Sequence, residues 1–447
     1  MSKKTKKSIY LDNNGTTIIC PAAEKAFIKW IKCYNASTNS KVSKGAKDKI
    51  MDGTDYILDL YGVSRATHTL LFTSGATESN CFIIRACCKA FKKKLIDKGV
   101  ELIPHIIISA IEHNSIIDCV RDLESVGDIE VTYVRPTIYG NILAADVERS
   151  IKKNTCLIAV MFANNEIPII NNISDISAVA QKHGIPIHCD AVQVFGKINF
   201  NIKKNNINSV AASAHKFYGP KGVGISILDN DLIDGYKITA EINGSQQGGL
   251  RGGTENVPGI ISTVAALQNA FIDRKNKNLY LLKLRTLTLE KLAAVYKFGN
   301  FESYVIKKSK PKEEKVIIEA ADRRVDKTAN DVDRNNLELL SLGPPDDKKA
   351  FILPNTILLS VCKNKGKPFC NAELKKFLDA KNIIVSVGSA CMTDSKWASH
   401  VLDAIGAPPV VKRGVIRISF GDNNTEKEVV ALVEGLRAGI NKQCGDL

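Results

Sequence analysis

The stretch VAASAHKFYGPKGVGISIL, residues 210–228, decides the fold because it sets a lysine between two apolar runs. Val210–Ala212 and Val223–Leu228 are short and apolar, as expected of buried strands, and the link between them contains glycine and proline. Lys216 follows the first run. Open α/β sheets bind their ligands at the carboxyl ends of their strands, so Lys216 is a candidate for chemistry.

The same alternation of short apolar runs and helical patterns extends from about Leu70 to Leu228. The runs upstream of the lysine are Leu70–Phe72, Ile106–Ile108, Val131–Val134, Leu157–Phe162 and Ile185–Cys189. Amphipathic stretches such as Ile173–His183 separate them. This order predicts an α/β fold in which helices cover a mainly parallel sheet.

The composition bounds the class of protein. With 447 residues, 44% of them hydrophobic, the chain can bury large cores and is expected to form two or three domains. The formal net charge of +15 comes from scattered lysines, with small clusters at Lys3–Lys7 and Lys92–Lys94. Because no zinc-finger spacing or basic region before a heptad repeat accompanies them, this charge favours a basic surface over specific nucleic-acid binding.

The sequence also lacks the usual signals for export and membrane insertion. No run of about 18 apolar residues predicts a transmembrane helix, and Met1–Ser8 is Lys-rich without an apolar core, unlike a signal peptide. The twelve cysteines contain no CxxC pair, so they predict neither a metal site nor a disulfide framework. Cysteines in apolar runs, such as Cys156 and Cys189, are expected to be buried. We therefore predict a cytoplasmic protein in a reducing compartment.

A charged segment at about residues 300–350 interrupts the regular pattern. It contains the clusters Lys307–Glu314 and Pro344–Asp347. Such a composition buries little apolar area, so we predict a partly flexible insertion, with regular structure resuming near Phe351.

Small residues follow the run Leu70–Phe72. In Thr73–Glu78, backbone amides at the start of a helix are suited to cradle a phosphate. The alternative is an ordinary helix cap, in which Thr or Ser is followed by Glu. This segment alone does not decide between them.

Polar residues suited to one ligand follow the other strands. Asp190 ends the run Ile185–Cys189, and Gln193 comes three residues later. His113 follows Ile106–Ile108, and the triplet Asn164–Glu166 follows Leu157–Phe162. A carboxylate can pair with a protonated ring nitrogen, and a lysine one strand later can form a Schiff base with an aldehyde cofactor. Each residue alone has an ordinary structural explanation, but their convergence on one sheet edge predicts a binding site.

A second candidate region lies near the end of the chain. Cys391, in Gly388–Thr393, is flanked by small polar residues and is a candidate nucleophile, with a buried cysteine as the alternative. Arg417 stands in the apolar run Val415–Phe420 and needs an anionic partner there. A substrate carboxylate would suit its two-pronged guanidinium.

These segments together resemble the NifS/IscS-like cysteine desulfurases, a branch of the class V aminotransferase family and of the fold-type I pyridoxal-phosphate enzymes. The shared motifs are Thr73–Glu78, Glu112–His113, Asn164–Glu166, Asp190–Gln193, Ser213–Gly222, Arg251–Thr254 and Gly388–Cys391. The resemblance implies a large cofactor-binding domain at residues 19–273. It also implies a smaller α+β domain formed by residues 1–18 and 274–447, which includes the charged insertion.

The resemblance also implies how pyridoxal 5'-phosphate is bound. Lys216 would bond the cofactor, and Asp190 would keep its ring nitrogen protonated. Gln193 would bond the ring hydroxyl, and His113 would stack on the ring. The residues implied to bind the phosphate are Ala76, Thr77, Ser213, His215 and, from the partner subunit of a homodimer, Thr254.

For the reaction, the resemblance implies that Asn165 contacts both cofactor and substrate and that Arg417 orients the substrate, L-cysteine. Cys391 would take the sulfur as a persulfide, leaving L-alanine. A sulfur-acceptor protein, such as an iron–sulfur scaffold, or a tRNA-thiolation system would follow. The alternatives are a selenocysteine lyase or another class V pyridoxal-phosphate enzyme, and a non-enzymatic scaffold homologue.

Overall fold

The computed structural model describes residues 8–38, 40–302, 305, 337–344, 351–363, 369–387 and 399–445. Within these ranges the chain builds two main sheets, one of seven strands and one of five, and a small two-stranded pair. No helix in the described part of the chain is long and apolar enough to cross a membrane.

The seven-stranded sheet forms the centre of the larger region. Its strands are β2 (His68–Thr73), β3 (His105–Ser109), β4 (Glu130–Val134), β5 (Thr155–Ala159), β6 (Ile187–Asp190), β7 (Ser209–Ser213) and β8 (Gly224–Asp229). The strand order is β2-β8-β7-β6-β5-β3-β4, and only β8 runs antiparallel to its neighbours. The predicted mainly parallel sheet is therefore confirmed, and the carboxyl ends of six strands meet at one edge.

Helices cover both faces of this sheet, because its strands are apolar on both sides. The helices of this region are α1 (Pro21–Trp30), α2 (Lys41–Leu60), α3 (Ala76–Asp97), α4 (Asn114–Ser125), α5 (Ala144–Arg149), α6 (Ile173–Lys182), α7 (Asn230–Tyr236) and α8 (Val257–Phe271). Ile106 and Ile108 of β3 pack with α3 and α4, whereas Ile107 belongs to the core on the opposite face. Cys156 and Cys189 are fully buried, as predicted.

The smaller region joins the two ends of the chain. Its five strands are β9 (Lys297–Asn300), β10 (Leu337–Leu342), β11 (Thr356–Lys363), β13 (Ser386–Val387) and β14 (Val415–Ser419), and β1 (Ile9–Tyr10) pairs with β12 (Ile383–Ile384). The helices here are α9 (Arg274–Ala293), α10 (Asn371–Ala380), α11 (His400–Ala404), α12 (Pro409–Arg413) and α13 (Glu426–Gly445). Leu11 is buried in the same core as Leu284 and Ile418. The domain boundaries at residues 18 and 274 stay a prediction.

The structure differs from the sequence prediction within residues 300–350. Leu337–Leu342 forms a strand between β9 and β11, and Leu339, Leu340 and Leu342 are buried. The high charge of the surrounding residues hides this short apolar run in the sequence. The charged cluster Lys307–Glu314 lies outside the described residues.

Candidate active site

A cavity of about 480 Å³ opens at the carboxyl edge of the seven-stranded sheet. Most of the residues predicted from strand ends line it, namely Ala76, Thr77, His113, Asn165, Asp190, Gln193, Ser213, His215 and Lys216. Strands and helices far apart in sequence therefore converge on one site, as the alternation of strands predicts.

One end of the cavity is the amino terminus of α3. Gly75 precedes the helix and offers no side-chain cap, so the first-turn amides of Ala76 and Thr77 have no hydrogen-bond partner among the described residues. Glu78 points away: it accepts from Ser74 N at 2.7 Å and pairs with Arg251. The ordinary cap by Thr or Ser is therefore not formed, although Glu78 orders the loop, and the free amides can receive an anion.

We call the part of the cavity at the amino terminus of α3 the anion end. Two side chains enclose it. Ser213 ends β7, His215 follows it, and both line the cavity. His215 Nδ1 lies 3.0 Å from the Thr16 hydroxyl. Burial, followed by the charge of Lys216, lowers the pKa of His215 to about 4, so the ring is neutral at physiological pH.

A buried carboxylate also lines the cavity. Asp190, only 4% exposed, ends β6. Its Oδ1 accepts from Val192 N and its Oδ2 from Asn80 Nδ2, both at 2.9 Å. Gln193 is held nearby, since its Nε2 donates to Asn14 O at 3.2 Å and its Oε1 accepts from Lys197 Nζ at 3.2 Å.

Lys216 lines the same cavity. The residue follows β7 in a single 3₁₀ turn, and its Nζ donates to Asn14 O at 2.6 Å and Gly15 O at 2.7 Å. Burial, with a smaller contribution from the charge of Arg417, lowers the pKa of Lys216 from 10.5 to about 8. An amine of this kind has a substantial neutral, nucleophilic fraction near physiological pH.

His113 caps α4 and also lines the cavity. Its Nδ1 accepts from Ser115 N at 3.1 Å and lies 2.9 Å from the Ser115 hydroxyl. Judged from the sequence, capping and ligand contact are alternatives for this histidine, but the geometry accommodates both. The cap fixes the ring beside the cavity.

Arg417 lies beside the cavity without lining it. Its Nη2 donates to Asp12 Oδ1 at 2.6 Å, and its Nη1 donates to Asn165 O at 2.8 Å. Its buried Nε has no hydrogen-bond partner among the described residues. The role of Arg417 as a substrate anchor stays a prediction, because its guanidinium binds groups of this chain in the present arrangement.

Two predicted residues are not in this cavity. Thr254 is exposed and does not line the cavity of its own chain. Cys391 lies outside the described residues. The described part of the chain begins again at Ser399, and its first residues contact neighbours of the cavity-lining residues. Ser399 donates to Glu166 at 2.5 Å, and His400 Nε2 lies 2.8 Å from Glu112 O.

Several residues of the site were not predicted from the sequence. Further residues that line the cavity are Thr16, Ser74, Ser115, Met161, Val192 and Lys221. Ser115 and Lys221 stand within or next to quoted motifs, so their spacing could have indicated them. Thr16 comes from the N-terminal segment, and no local pattern marks it as a neighbour of β7.

The groups present fit pyridoxal phosphate. Free amides, Ser213 and neutral His215 suit its phosphate, and the carboxylate of Asp190 suits a protonated ring nitrogen. Gly224 keeps the anion end open, since a Cβ there would lie 2.4 Å from the carbonyl carbon of Gly75. Lys216, which lines the same cavity, suits the aldehyde.

The sequence is similar to known proteins over nearly its whole length. Residues 9–339 match the model of the aminotransferase class-V family. A cysteine desulfurase IscS from Dictyoglomus turgidum is 32% identical over 98% of this chain and 95% of its own length. One from Methanosarcina thermophila is 31% identical over 96% of this chain and 91% of its own length.

Solved structures agree with these sequence relatives. A NifS-like protein superposes with a TM-score of 0.76 at 26% identity and covers 98% of this chain and 100% of its own. SspA, solved in complex with cysteine, superposes with a TM-score of 0.67 at 27% identity, over 94% of this chain and 100% of its own.

Proposed function

We propose that this chain, which belongs to the class V aminotransferase family and within it to the NifS/IscS-like cysteine desulfurases, converts L-cysteine to L-alanine and passes the sulfur on as a persulfide of Cys391. Members of this family depend on pyridoxal phosphate, as this chain does. The observation that carries the proposal is the convergence of Lys216, Asp190, His113 and the α3 amino terminus on one cavity. A substrate cysteine is supported further by the relative solved with cysteine.

Lys216 provides the reactive amine. Bound pyridoxal phosphate would act as an electron sink that weakens bonds to the substrate carbon attached to it. The Lys216 amine, with its pKa lowered to about 8 by burial, would hold the aldehyde of the cofactor and is suited to move a proton at the substrate α-carbon.

The cavity walls orient the other groups. The Asp190 carboxylate would pair with the ring nitrogen of the cofactor, and two donors fix its orientation. Gln193 presents an amide donor beside Asn14 O. Met161 and Val192 add apolar surface beside the polar groups of the cavity, which limits water around the reacting atoms.

The sulfur step is assigned to Cys391. Its thiolate attacks the substrate sulfur, so that an S–S bond forms and the substrate C–S bond breaks. The carbon left behind takes up a proton and becomes the methyl group of alanine. The balance is L-cysteine plus enzyme thiol giving L-alanine plus enzyme persulfide, and no external oxidant is needed. The contacts of Ser399 and His400 with Glu166 and Glu112 hold the described continuation of this segment at the cavity edge.

A homodimer is part of the proposal. Thr254 is exposed and would complete the phosphate site of a partner subunit. Large apolar side chains along and after α1 are also exposed, namely Ile28 at 65%, Ile31 at 59%, Tyr34 at 64% and Val42 at 61%. Exposed apolar residues in such number are typical of an interface between subunits.

The sulfur acceptor is proposed to be a protein such as an iron–sulfur scaffold, or a component of tRNA thiolation. Transfer from a persulfide requires a reducing compartment, for which we propose the cytoplasm. All eleven cysteines among the described residues are free thiols, which suits such a compartment.

The direct test is turnover of L-cysteine by the purified protein with a thiol reductant, with alanine and sulfide measured in parallel. We expect equal amounts of both products, and loss of sulfide release in Cys391→Ala. Cys33→Ala, which changes a partly exposed cysteine elsewhere, is the matched control. Full sulfide release by Cys391→Ala would show that the nucleophile is misassigned, and absence of alanine would overturn the function.

A further inference from the structure

We propose that Asn80 is a positioning residue that fixes both the carboxylate of Asp190 and, through Ser115, the ring of His113, and that His188 sets the orientation of its amide. Neither Asn80 nor His188 lines the cavity, so each acts through residues that do. The inference rests on the proposed function only in that it concerns groups directed at the cofactor ring.

The amide of Asn80 divides its two protons between two partners. Its Nδ2 donates to Asp190 Oδ2 and to Ser115 Oγ, each at 2.9 Å. Asn80 is fully buried on α3, one turn after the amides of the anion end. A flipped amide would direct its oxygen at the carboxylate of Asp190, which has no proton to donate. One orientation is therefore strongly preferred.

His188 holds that orientation from behind. Its Nε2 lies 2.9 Å from Asn80 Oδ1, and its Nδ1 lies 2.8 Å from Ser209 Oγ. Because Asn80 Oδ1 only accepts, Nε2 of His188 must carry the proton. Complete burial lowers the pKa of His188 to about 3, so Nδ1 is left to accept from the Ser209 hydroxyl.

The second arm of the network sets the tautomer of His113. Ser115 Oγ accepts from Asn80, so its single proton is available for His113 Nδ1 at 2.9 Å. Ser115 N donates to the same nitrogen at 3.1 Å. With two donors directed at Nδ1, the proton of neutral His113 lies on Nε2. A proton on Nδ1 would face the N–H of Ser115. It would also remove the hydrogen bond that connects His113, through Ser115, to Asn80.

The network thus joins two groups that line the cavity, Asp190 and His113, through one buried side chain. Asp190 and Ser115 are 4% and 9% exposed, so water competes little for their hydrogen bonds. Replacing Asn80 would release both groups at once, whereas replacing Ser115 would release His113 alone. This difference gives the proposal its test.

The experiment uses full-length protein labelled with ¹⁵N-histidine, prepared without cofactor, and reads the His113 tautomer by NMR, with the signal assigned through His113→Gln. Wild type should show His113 protonated only on Nε2. Asn80→Ala and Ser115→Ala should each mix the tautomers. Titration with pyridoxal phosphate should show about 10–100-fold weaker binding in Asn80→Ala, with a smaller loss in Ser115→Ala.

His105→Gln is the matched control. His105 is also a fully buried strand histidine, bonded to Thr155 and Thr132 at 2.8 Å each, but it lies outside this network. It should leave both the His113 tautomer and cofactor affinity unchanged. If circular dichroism shows that Asn80→Ala does not fold, the same two measurements are made on Ser115→Ala and His188→Gln.

An unchanged His113 signal together with cofactor affinity within twofold of wild type, in folded Asn80→Ala or in both substitutes, overturns the proposal. Neither measurement depends on turnover. A protein that binds pyridoxal phosphate and shows these shifts but releases no alanine would therefore contradict the proposed function and not the network.

Discussion

The two sides of the cavity are built differently. On the sheet side, Asp190 and Lys216 follow neighbouring strands, and Asp190 is held by hydrogen bonds from within the same fold unit. On the junction side, Asn165 and Arg417 lie where β14 of the smaller sheet approaches the larger one. There the guanidinium of Arg417 pairs with Asp12, from the N-terminal segment.

This difference separates cofactor binding from substrate binding. On the sheet side, the carboxylate of Asp190 is fixed by groups of the larger region, as a permanently held cofactor requires. The junction side depends on a polar contact between segments more than 400 positions apart, and a substrate carboxylate would have to compete with Asp12 for Arg417. We therefore expect changes on the sheet side to abolish chemistry and changes on the junction side to alter substrate affinity.

The largest effect is expected from Lys216→Ala. Without its amine the cofactor has no covalent attachment and the α-carbon has no base, so turnover should fall by about 10³-fold or more. The measurement is alanine formation together with the visible spectrum of the purified protein. Lys203→Ala, an exposed lysine, should match wild type in both. Appreciable turnover by Lys216→Ala would place the reactive amine elsewhere.

The second-largest effect is expected from a change of Asp190, on the sheet side of the cavity. Asp190→Asn removes the charge opposite the ring nitrogen and directs an amide at the donors Val192 N and Asn80 Nδ2. Turnover should fall about a hundredfold, while cofactor content falls less because Lys216 still binds it. Steady-state kinetics on protein of known cofactor content separate the two. A loss confined to cofactor content would mean that Asp190 only stabilises binding.

The sheet side can be predicted from the sequence because its signals are local. A strand run followed by a polar residue appears in one short window, and the repetition of that pattern along the chain indicates Asp190, His113 and Lys216. His188 is within reach of the same reasoning, since it stands two residues before Asp190 on β6 and so shares its face. It is easily overlooked because a histidine within an apolar run is usually a core residue.

The junction side cannot be predicted in the same way. The pairing of Arg417 with Asp12 joins the two ends of the chain, and no local period encodes it. The strand Leu337–Leu342 escapes prediction for the opposite reason, since its own apolar pattern is outweighed by charged neighbours. The resemblance to a family supplies Cys391 and Thr254, whose roles stay predictions.

The third prediction therefore concerns the junction side. Arg417→Lys keeps the charge but removes the planar fork, and should raise the KM for L-cysteine about tenfold with cofactor content unchanged. Arg437→Lys, an exposed position on α13, is the control. If KM stays constant while cofactor content falls, Arg417 belongs functionally to the sheet side, and the distinction between the two sides fails.

A smaller effect is expected from pH. The pKa of Lys216 is lowered to about 8, chiefly by burial, so below that pH the amine is increasingly protonated and cannot bond the aldehyde. The rate at which cofactor-free protein recovers its visible absorbance should rise up to about pH 8 and then level off. Below that point it should change about tenfold per pH unit. A rate still rising steeply above pH 9 would contradict the lowered pKa.

The last prediction concerns the stability of the fold next to the sheet side of the cavity, and not turnover. Glu112 is fully buried, and its Oε2 has no hydrogen-bond partner among the described residues. Burial, with a smaller contribution from the charge of Asp190, raises the pKa of Glu112 from 4.5 to about 8. The folded state therefore keeps a proton that the unfolded state loses, and this stabilisation is complete below about pH 4.5 and lost as the pH rises through 8.

Glu112→Gln removes that proton equilibrium while keeping the shape and the acceptor for Met161 N. Its free energy of unfolding, measured by urea denaturation, should therefore decline less than that of wild type between pH 5 and pH 8, by about 3 kcal/mol. Glu290→Gln, an exposed position on α9, should follow wild type. Parallel curves for wild type and Glu112→Gln would mean that Glu112 is ionised when buried, and that the sheet side tolerates a second negative charge near Asp190.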